Sequence, residues 1–289
     1  MAEFKIATEK FATLQGSVVV VTGASSGIGL ATTTLLLDVG AFVVAGDMSP
    51  VPVEHENLSF QKTDIISWQD LQALFGLAQE RHGKVDHVFA NAGIPGRTIF
   101  IEDRVDENGL LLEPDLKVID VNLKGTIFTA TLGLHYIKKQ GKGSIVITAS
   151  ASSFQRFGFT DYTVSKHGVL GYMRGLVPSL NILHPSIRIN AISPNWTATG
   201  IVAKDIVEGI GAKVQGPEVP ARSAVLLMAD DTRQGQLIYS VHGRYVEIEE
   251  AVLLKSVREN IVLKYQPEED TAFDKMAKLC FKDVQKPSD

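Results

Sequence analysis

The chain has 289 residues, a formal net charge of −5 and a single cysteine, Cys280. That length suits one large α/β domain with additions, or two domains at most. Charges of both signs are scattered, so nucleic acid is not an expected partner. One cysteine excludes an intrachain disulfide and fits a reducing, cytoplasmic setting. No apolar run reaches transmembrane length, and residues 1–15 carry no signal-peptide pattern. The seven histidines show no metal-ligand spacing, so no metal is expected.

In chain order, residues 1–15 read as an N-terminal arm that mixes charges with single apolar side chains. Residues 17–29 read Ser-Val-Val-Val-Val-Thr-Gly-Ala-Ser-Ser-Gly-Ile-Gly. The valine run predicts a strand buried on both faces, and residues 30–39 predict a helix. Between them Gly23 permits a sharp exit from the strand. Gly27 removes a side chain where a pyrophosphate must approach, and Gly29 lets the helix pack closely on the sheet. Ser25, Ser26 and Ile28 complete a turn whose free N–H groups and helix dipole suit an anion. A second apolar strand, residues 41–46, delivers Asp47 eighteen positions past Gly29. A carboxylate there can accept hydrogen bonds from adenosine ribose hydroxyls and repels a 2′-phosphate. No cation at Met48 or Ser49 compensates, so NAD is favoured over NADP.

Residues 58–62 predict a third strand, ending before Asp64 and Ile65. Asp64 can read an adenine or cap the helix that starts near Trp68, and Ser67 competes for that cap. Leu71, Leu74, Phe75 and Ala78 share one face of the helix at residues 71–81. A fourth strand, residues 85–90, ends in Asn91-Ala92-Gly93. This alternation implies a doubly wound parallel sheet. The irregular stretch 94–113 reads as a lid or pocket wall. A long helix, residues 116–139, carries Asn122 and Gly125 at a propensity cost. That cost suggests a purposeful irregularity, although an exposed asparagine is an alternative. A fifth strand, residues 144–148, delivers Ser150 to the carboxyl edge. Phe154, Phe157 and Phe159 follow, and a helix then runs from Asp161 to about residue 183.

Tyr162 and Lys166 are four residues apart on that last helix and project from one face. Lowering a tyrosine from about 10 to about 7 takes roughly 4 kcal/mol. An ammonium at about 4 Å, in an effective dielectric near 20, supplies roughly that amount. An oxidised nicotinamide adds a second positive charge, so Tyr162 can act as a general acid–base near neutrality.

These motifs together resemble the classical short-chain dehydrogenase/reductase family. The elements that carry the likeness are Thr22-Gly23-Ala24-Ser25-Ser26-Gly27-Ile28-Gly29, Asn91-Ala92-Gly93, Asn122, Ser150, Tyr162-Thr163-Val164-Ser165-Lys166 and the Pro194 loop. The resemblance implies an α/β, three-layer Rossmann-like domain, a nicotinamide cofactor and an Asn–Ser–Tyr–Lys tetrad. By that analogy Tyr162 exchanges the proton and Ser150 orients the hydroxyl or carbonyl. Lys166 holds the nicotinamide ribose and tunes Tyr162, and Asn122 holds a water that relays protons to Lys166. Pro194, Thr197 and Thr199 fall where that family contacts the nicotinamide.

Three departures from the pattern stand out. Ser150 lies twelve residues before Tyr162, while the family's usual position, thirteen before, is Ala149. Ser152 and Ser153 are weaker substitutes. Pro194-Asn195 replaces Pro-Gly, a turn that asparagine can keep through its tolerance of left-handed backbone. Val241-His242-Gly243-Arg244 replaces Val-Asp-Gly-Gly in a region that often builds the subunit interface.

Residues 200–218, with Ile201, Val202, Ile206, Val207 and Ile210, resemble a variable substrate loop. With Trp196 and the phenylalanines they suggest either an apolar pocket or simple packing. A helix at residues 220–230 and a last strand at residues 236–241 follow. Beyond them Leu253, Val257 and Ile261 share one helical face. Phe273, Met276, Leu279 and Cys280 suggest a second amphipathic helix that covers the pocket, meets a partner subunit or docks on the parent domain. The expected organisation is an arm at 1–15, a catalytic domain at 16–245 and a C-terminal helical extension at 246–289. The expected activity is NAD-dependent interconversion of a secondary alcohol and a ketone on an apolar terpenoid, steroid-like or polyketide molecule. A loose likeness to fungal secondary-metabolism members of the family accompanies it. A homodimer or homotetramer is expected by the same resemblance. The alternatives are an NADPH ketoreductase, an NAD-using isomerase and a non-catalytic NAD-binding protein.

Overall fold

A computed structural model describes residues 2–98, 100–202 and 204–281, so part of the expected 246–289 extension lies outside the described residues. The strands are β1 (Glu3–Phe4), β2 (Val18–Thr22), β3 (Phe42–Asp47), β4 (Leu58–Lys62), β5 (His87–Ala90), β6 (Gly143–Thr148), β7 (Ile187–Pro194), β8 (Leu237–Val241) and β9 (Arg244–Glu247). They form one nine-stranded sheet in the order β1-β9-β8-β7-β6-β5-β2-β3-β4. Strands β2 to β8 pair in parallel, as expected for a Rossmann-like sheet. The chain reverses direction across the sheet between β2 and β5, which opens a crevice at their carboxyl ends.

The two faces of the sheet account for the apolar pattern. Within β2, Val18 and Val20 point into one core while Val19 and Val21 point into the other. Each is almost fully buried, a gain of about 1.5–3 kcal/mol per side chain. One core lies under α2 (Trp68–His82), α4 (Thr126–Lys138) and α5 (Thr160–Leu183). The other lies under α1 (Gly27–Asp38) and α6 (Glu218–Ala229). Leu71, Leu74, Phe75 and Ala78 are the buried face of α2, as their spacing predicts.

The long helix departs from regularity where the polar residue falls. A short α3 (Lys117–Ile119) passes into a π-helical segment, Asp120–Gly125, and only then into α4. Asn122 sits in this widened segment and is buried, so it is not the exposed asparagine of the alternative reading. Extra width here turns one side chain out of the helical register, a recurrent feature of functional helices.

At the other sheet edge the reading of residues 236–241 as the last strand needs correction. His242 (φ 48°) and Gly243 (φ 77°) form a two-residue turn, and β9 returns antiparallel to β8. Positive φ at both central residues is what such a hairpin turn requires. Strand β1 then pairs antiparallel with β9, and Arg244 grips Glu3 through two hydrogen bonds, 2.8 and 2.6 Å. The arm continues as a 3-10 helix, Thr8–Leu14, that buries Phe11 and Leu14 in the second core. Asn195 keeps an ordinary φ, since His242 is the one non-glycine with positive φ among the described residues. Its N–H donates to the Ser240 carbonyl at 3.0 Å, so the turn after β7 is held by β8 rather than by left-handed backbone.

Past β9, helical segments run from Glu249–Leu254 through Leu263–Tyr265, and α7 (Ala272–Phe281) closes the described chain. The first of them, Glu249–Leu254, docks on the parent domain. Leu253 packs on the first core, and Arg174 of α5 chelates the buried Glu249 carboxylate. Phe273, Met276 and Leu279 of α7 stay exposed, Phe273 at 89%.

Candidate active site

The glycine turn is built by close contact. A Cβ on Gly29 would collide with the Gly23 carbonyl, so the first turn of α1 can cross the strand end only without a side chain. A Cβ on Gly27 would come within 2.9 Å of Thr199 Cγ2, which brings the loop after β7 over the turn. Ser26 makes no capping bond with its side chain. Among the described residues the first N–H groups of α1 thus have no side-chain cap, a site for an anionic group. Asp47 closes the other side. Its two carboxylate oxygens accept one backbone N–H each, from Ser25 (3.0 Å) and Ser49 (3.1 Å). Each oxygen keeps a lone pair for a further donor.

The neighbouring motif residues are tied to one another. Asn91 donates to the Thr22 and Gly23 carbonyls, both at 3.3 Å, and accepts from Thr148 Oγ1 at 3.0 Å. It thus joins β2, β5 and β6 at their carboxyl ends. Ala92 lies beside it, with its N–H on Thr22 Oγ1 at 3.4 Å. Gly93 leaves room for Asn122, whose Oδ1 would stand 3.0 Å from an added Cβ. The contest for the α2 cap goes to Ser67, which accepts from the Asp70 N–H at 3.2 Å. Asp64 instead bonds the Ile66 N–H at 3.1 Å, and the Ile65 side chain is buried against Gly125.

Asn122 reaches across to the strand β5 exit. Its Oδ1 accepts from the Ile94 N–H (2.8 Å) and its Nδ2 donates to the Ile94 carbonyl (2.9 Å). Thr126 Oγ1 donates to the Asn122 carbonyl at 2.7 Å. Ser150 begins a short 3-10 turn, Ala151–Ser153, in a reciprocal cap with Ser153, and its side chain hydrogen-bonds the Tyr162 hydroxyl. Ala149 is buried in the core. The structure therefore brings Ser150, not the position before it, to Tyr162.

Lys166 is buried, and its Nζ donates to the Thr148 carbonyl at 2.7 Å, standing 5.7 Å from the centre of the Tyr162 ring. Burial pushes its ammonium down to about 8. The same burial raises the Tyr162 phenol above its ordinary value, and the Ser150 hydrogen bond offsets this only in part. Against the expectation that Lys166 brings Tyr162 toward neutrality, burial of the phenol is the largest influence and acts in the opposite direction.

Around Tyr162 the walls are aromatic. Phe157 stands 6.2 Å from the Tyr162 ring, 6.0 Å from Trp196 and 5.5 Å from Phe159. Phe154 turns away from this group and packs edge-on against Tyr239 in the first core. Of the apolar residues at 200–210, Val207 is buried, whereas Ile206 and Ile210 are each 70% exposed.

Two residues that the sequence did not single out complete the frame. Gln215 pairs with Thr197 across a parallel bridge and donates to Thr197 Oγ1 (3.2 Å) and the Ser240 carbonyl (3.0 Å). It staples together both ends of the loop that carries Thr199. Thr197 Oγ1 also donates to the Asn195 carbonyl at 2.8 Å, so this hydroxyl serves the loop itself, just past Pro194 at the end of β7. The second is Asp161, a carboxylate fully buried beside Tyr162. Two of its three partners are 63 and 64 positions away in the chain, so no local pattern announces it.

The description "short chain dehydrogenase" belongs to the family model that matches residues 17–208. Short-chain dehydrogenase/reductase ascJ of Acremonium egyptiacum is 44% identical over 260 residues, 88% of either chain. Short-chain dehydrogenase/reductase prx4 of Penicillium roqueforti is 40% identical over 210 residues, 71% of this chain and 62% of that relative's length. Among solved structures, levodione reductase superposes with a TM-score of 0.66 at 25% identity, over 80% of this chain and 97% of that one.

Proposed function

The chain belongs to the short-chain dehydrogenase/reductase family, and from that premise we propose that it is an NAD-dependent oxidoreductase interconverting a secondary alcohol and a ketone on an apolar, ring-bearing small molecule. The family acts on CH–OH groups with a nicotinamide cofactor, which supplies the hydride acceptor or donor when bound. The residues here fit such a group. The glycine turn leaves space that side chains would fill, α1 offers unpartnered N–H groups, and Asp47 keeps acceptor capacity where a ribose would lie.

The observation that carries the reading is the junction of Ser150, Tyr162 and Lys166 at the carboxyl end of β6. In this reading Ser150 holds the substrate oxygen and Tyr162 takes or returns its proton. Lys166 passes that proton onward, which an ammonium near 8 does readily. Asp47 favours NAD by accepting from ribose hydroxyls and leaving a 2′-phosphate without a cation. Phe157, Phe159 and Trp196 supply an aromatic wall, which suits a carbocyclic substrate of the kind that secondary metabolism produces. The subunits pair as a homodimer or homotetramer in the same reading.

Calorimetric titration with NADH and with NADPH tests the cofactor assignment. Tighter binding of NADH supports it, and tighter binding of NADPH replaces it with a ketoreductase. Turnover of a ketone panel that includes levodione tests the reaction. Binding without turnover across that panel and across cyclic alcohols with NAD points to a non-catalytic protein. Substrate conversion without net NADH release points to an isomerase.

A further inference from the structure

Asp161 is 0% exposed and has no cationic partner among the described residues. Three backbone N–H groups point at its carboxylate instead. Oδ2 accepts from Arg97 (3.0 Å) and Thr98 (2.9 Å), and Oδ1 accepts from Tyr162 (2.7 Å). A buried carboxylate without its donors is costly, so the three bonds form or fail together. They join two segments that chain connectivity keeps far apart, the exit from β5 and the first turn of α5.

The contact is close as well as polar. A Cβ on Gly96 would lie 2.5 Å from Phe159 Cβ, 2.8 Å from Phe159 Cγ and 3.1 Å from Asp161 Oδ1. Only a glycine lets this backbone lie against the start of α5. Asn122 fixes the same loop two residues earlier, at Ile94. Beyond Thr98 the stretch turns outward, with Ile101 at 91% and Leu111 at 71% exposure. Residues 94–98 are therefore locked to the helix that bears Tyr162.

We propose that Asp161 is a positioning residue that latches the 94–98 loop to the start of α5, and so sets the pocket wall and Tyr162 as one unit. The proposal rests on the reading of Tyr162 as the acid–base. It assigns Asp161 no contact with substrate or cofactor. Opening the latch lets water reach the first turn of α5. The Tyr162 phenol, raised by burial, then moves down toward its ordinary value.

Three measurements test it. In the wild-type protein, amide hydrogen exchange at Arg97 and Thr98 is expected to be slow beside that of residues 100–113. Exchange as fast as that of the exposed stretch overturns the latch without any variant. In Asp161→Asn, ultraviolet titration against the matching Tyr162→Phe background is expected to show the Tyr162 phenolate forming at lower pH. Exchange at Arg97 and Thr98 rises about tenfold or more, as losing charge-assisted bonds implies. NADH affinity stays within about twofold, because the glycine turn is untouched. Gly96→Ala, which keeps the carboxylate but obstructs the approach, is expected to reproduce both changes. An unmoved Tyr162 titration in both variants overturns the proposal. So does a loss of NADH affinity in step with the other changes, which marks Asp161 as merely structural. If Tyr162→Phe still turns over a ketone that the wild type reduces, the acid–base reading fails, whatever the latch variants show.

Discussion

The inner and outer halves of the pocket are built on opposite plans. At the strand ends, Asn91, Asn122, Asp47, Ser150 and Lys166 are each held by backbone groups or neighbouring side chains. At the rim, residues 100–112 and 201–210 make mostly local bonds and expose Ile101, Leu110, Leu111, Ile206 and Ile210. Proton and hydride transfer need atoms fixed within fractions of an ångström, and a buried polar network provides that stiffness. Substrate choice needs apolar area more than fixed direction, which loosely tethered side chains provide.

If the two halves divide the work in this way, lesions in them should separate cleanly. The largest effect is expected for Tyr162→Phe. Turnover should fall about 10²–10⁴-fold, the usual contribution of general acid–base catalysis, with NADH binding unchanged in calorimetry. The titration of this residue carries a definite sign. In the free protein burial raises the phenol, so its phenolate absorbance should appear only above the ordinary tyrosine range. Saturation with NAD should move that absorbance to lower pH, because a positive nicotinamide favours the phenolate.

Asp47→Asn comes next. It keeps the shape but removes the charge, so NADH affinity should fall about tenfold and discrimination against NADPH should narrow. Phe157→Ala removes the ring between Tyr162 and Trp196. Aromatic contacts are worth about 0.5–1.5 kcal/mol each, so KM for a cyclic ketone should rise about three- to tenfold with kcat little changed. A fall in kcat of the same size would break the division between the halves. The smallest effect is expected for Ile206→Ser with Ile210→Ser. Unfolding free energy should stay within about 0.5 kcal/mol by denaturant titration, leaving any change in activity to substrate contact alone.

The division also explains which parts were legible in the sequence. The glycine turn, the Tyr162–Lys166 pair and the strand periodicity are local, so spacing reveals them. The irregularity at Asn122 was legible as a propensity conflict, and it became a π-helical segment. What escaped were long-range pairings. Asp161 meets a loop 63 residues away, Gln215 meets Thr197 across 18, and Glu3 meets Arg244 across 241. Asn195 shows a different limit. Its residue type allows left-handed backbone, but the β8 carbonyl made that conformation unnecessary. The Tyr162 titration escaped because desolvation depends on burial, which spacing does not reveal.

Strand β1 has a consequence for handling the protein. Two residues, Glu3 and Phe4, cover the outer side of β9 with a short, charged strand. Exposed strand edges pair with other chains, and short charged edges resist this. Trimming residues 2–6, or fusing a bulky tag directly to them, would bare β9 along its hydrogen-bonding side. Preparations made that way should associate edge to edge at high concentration, while those tagged away from this corner stay dispersed.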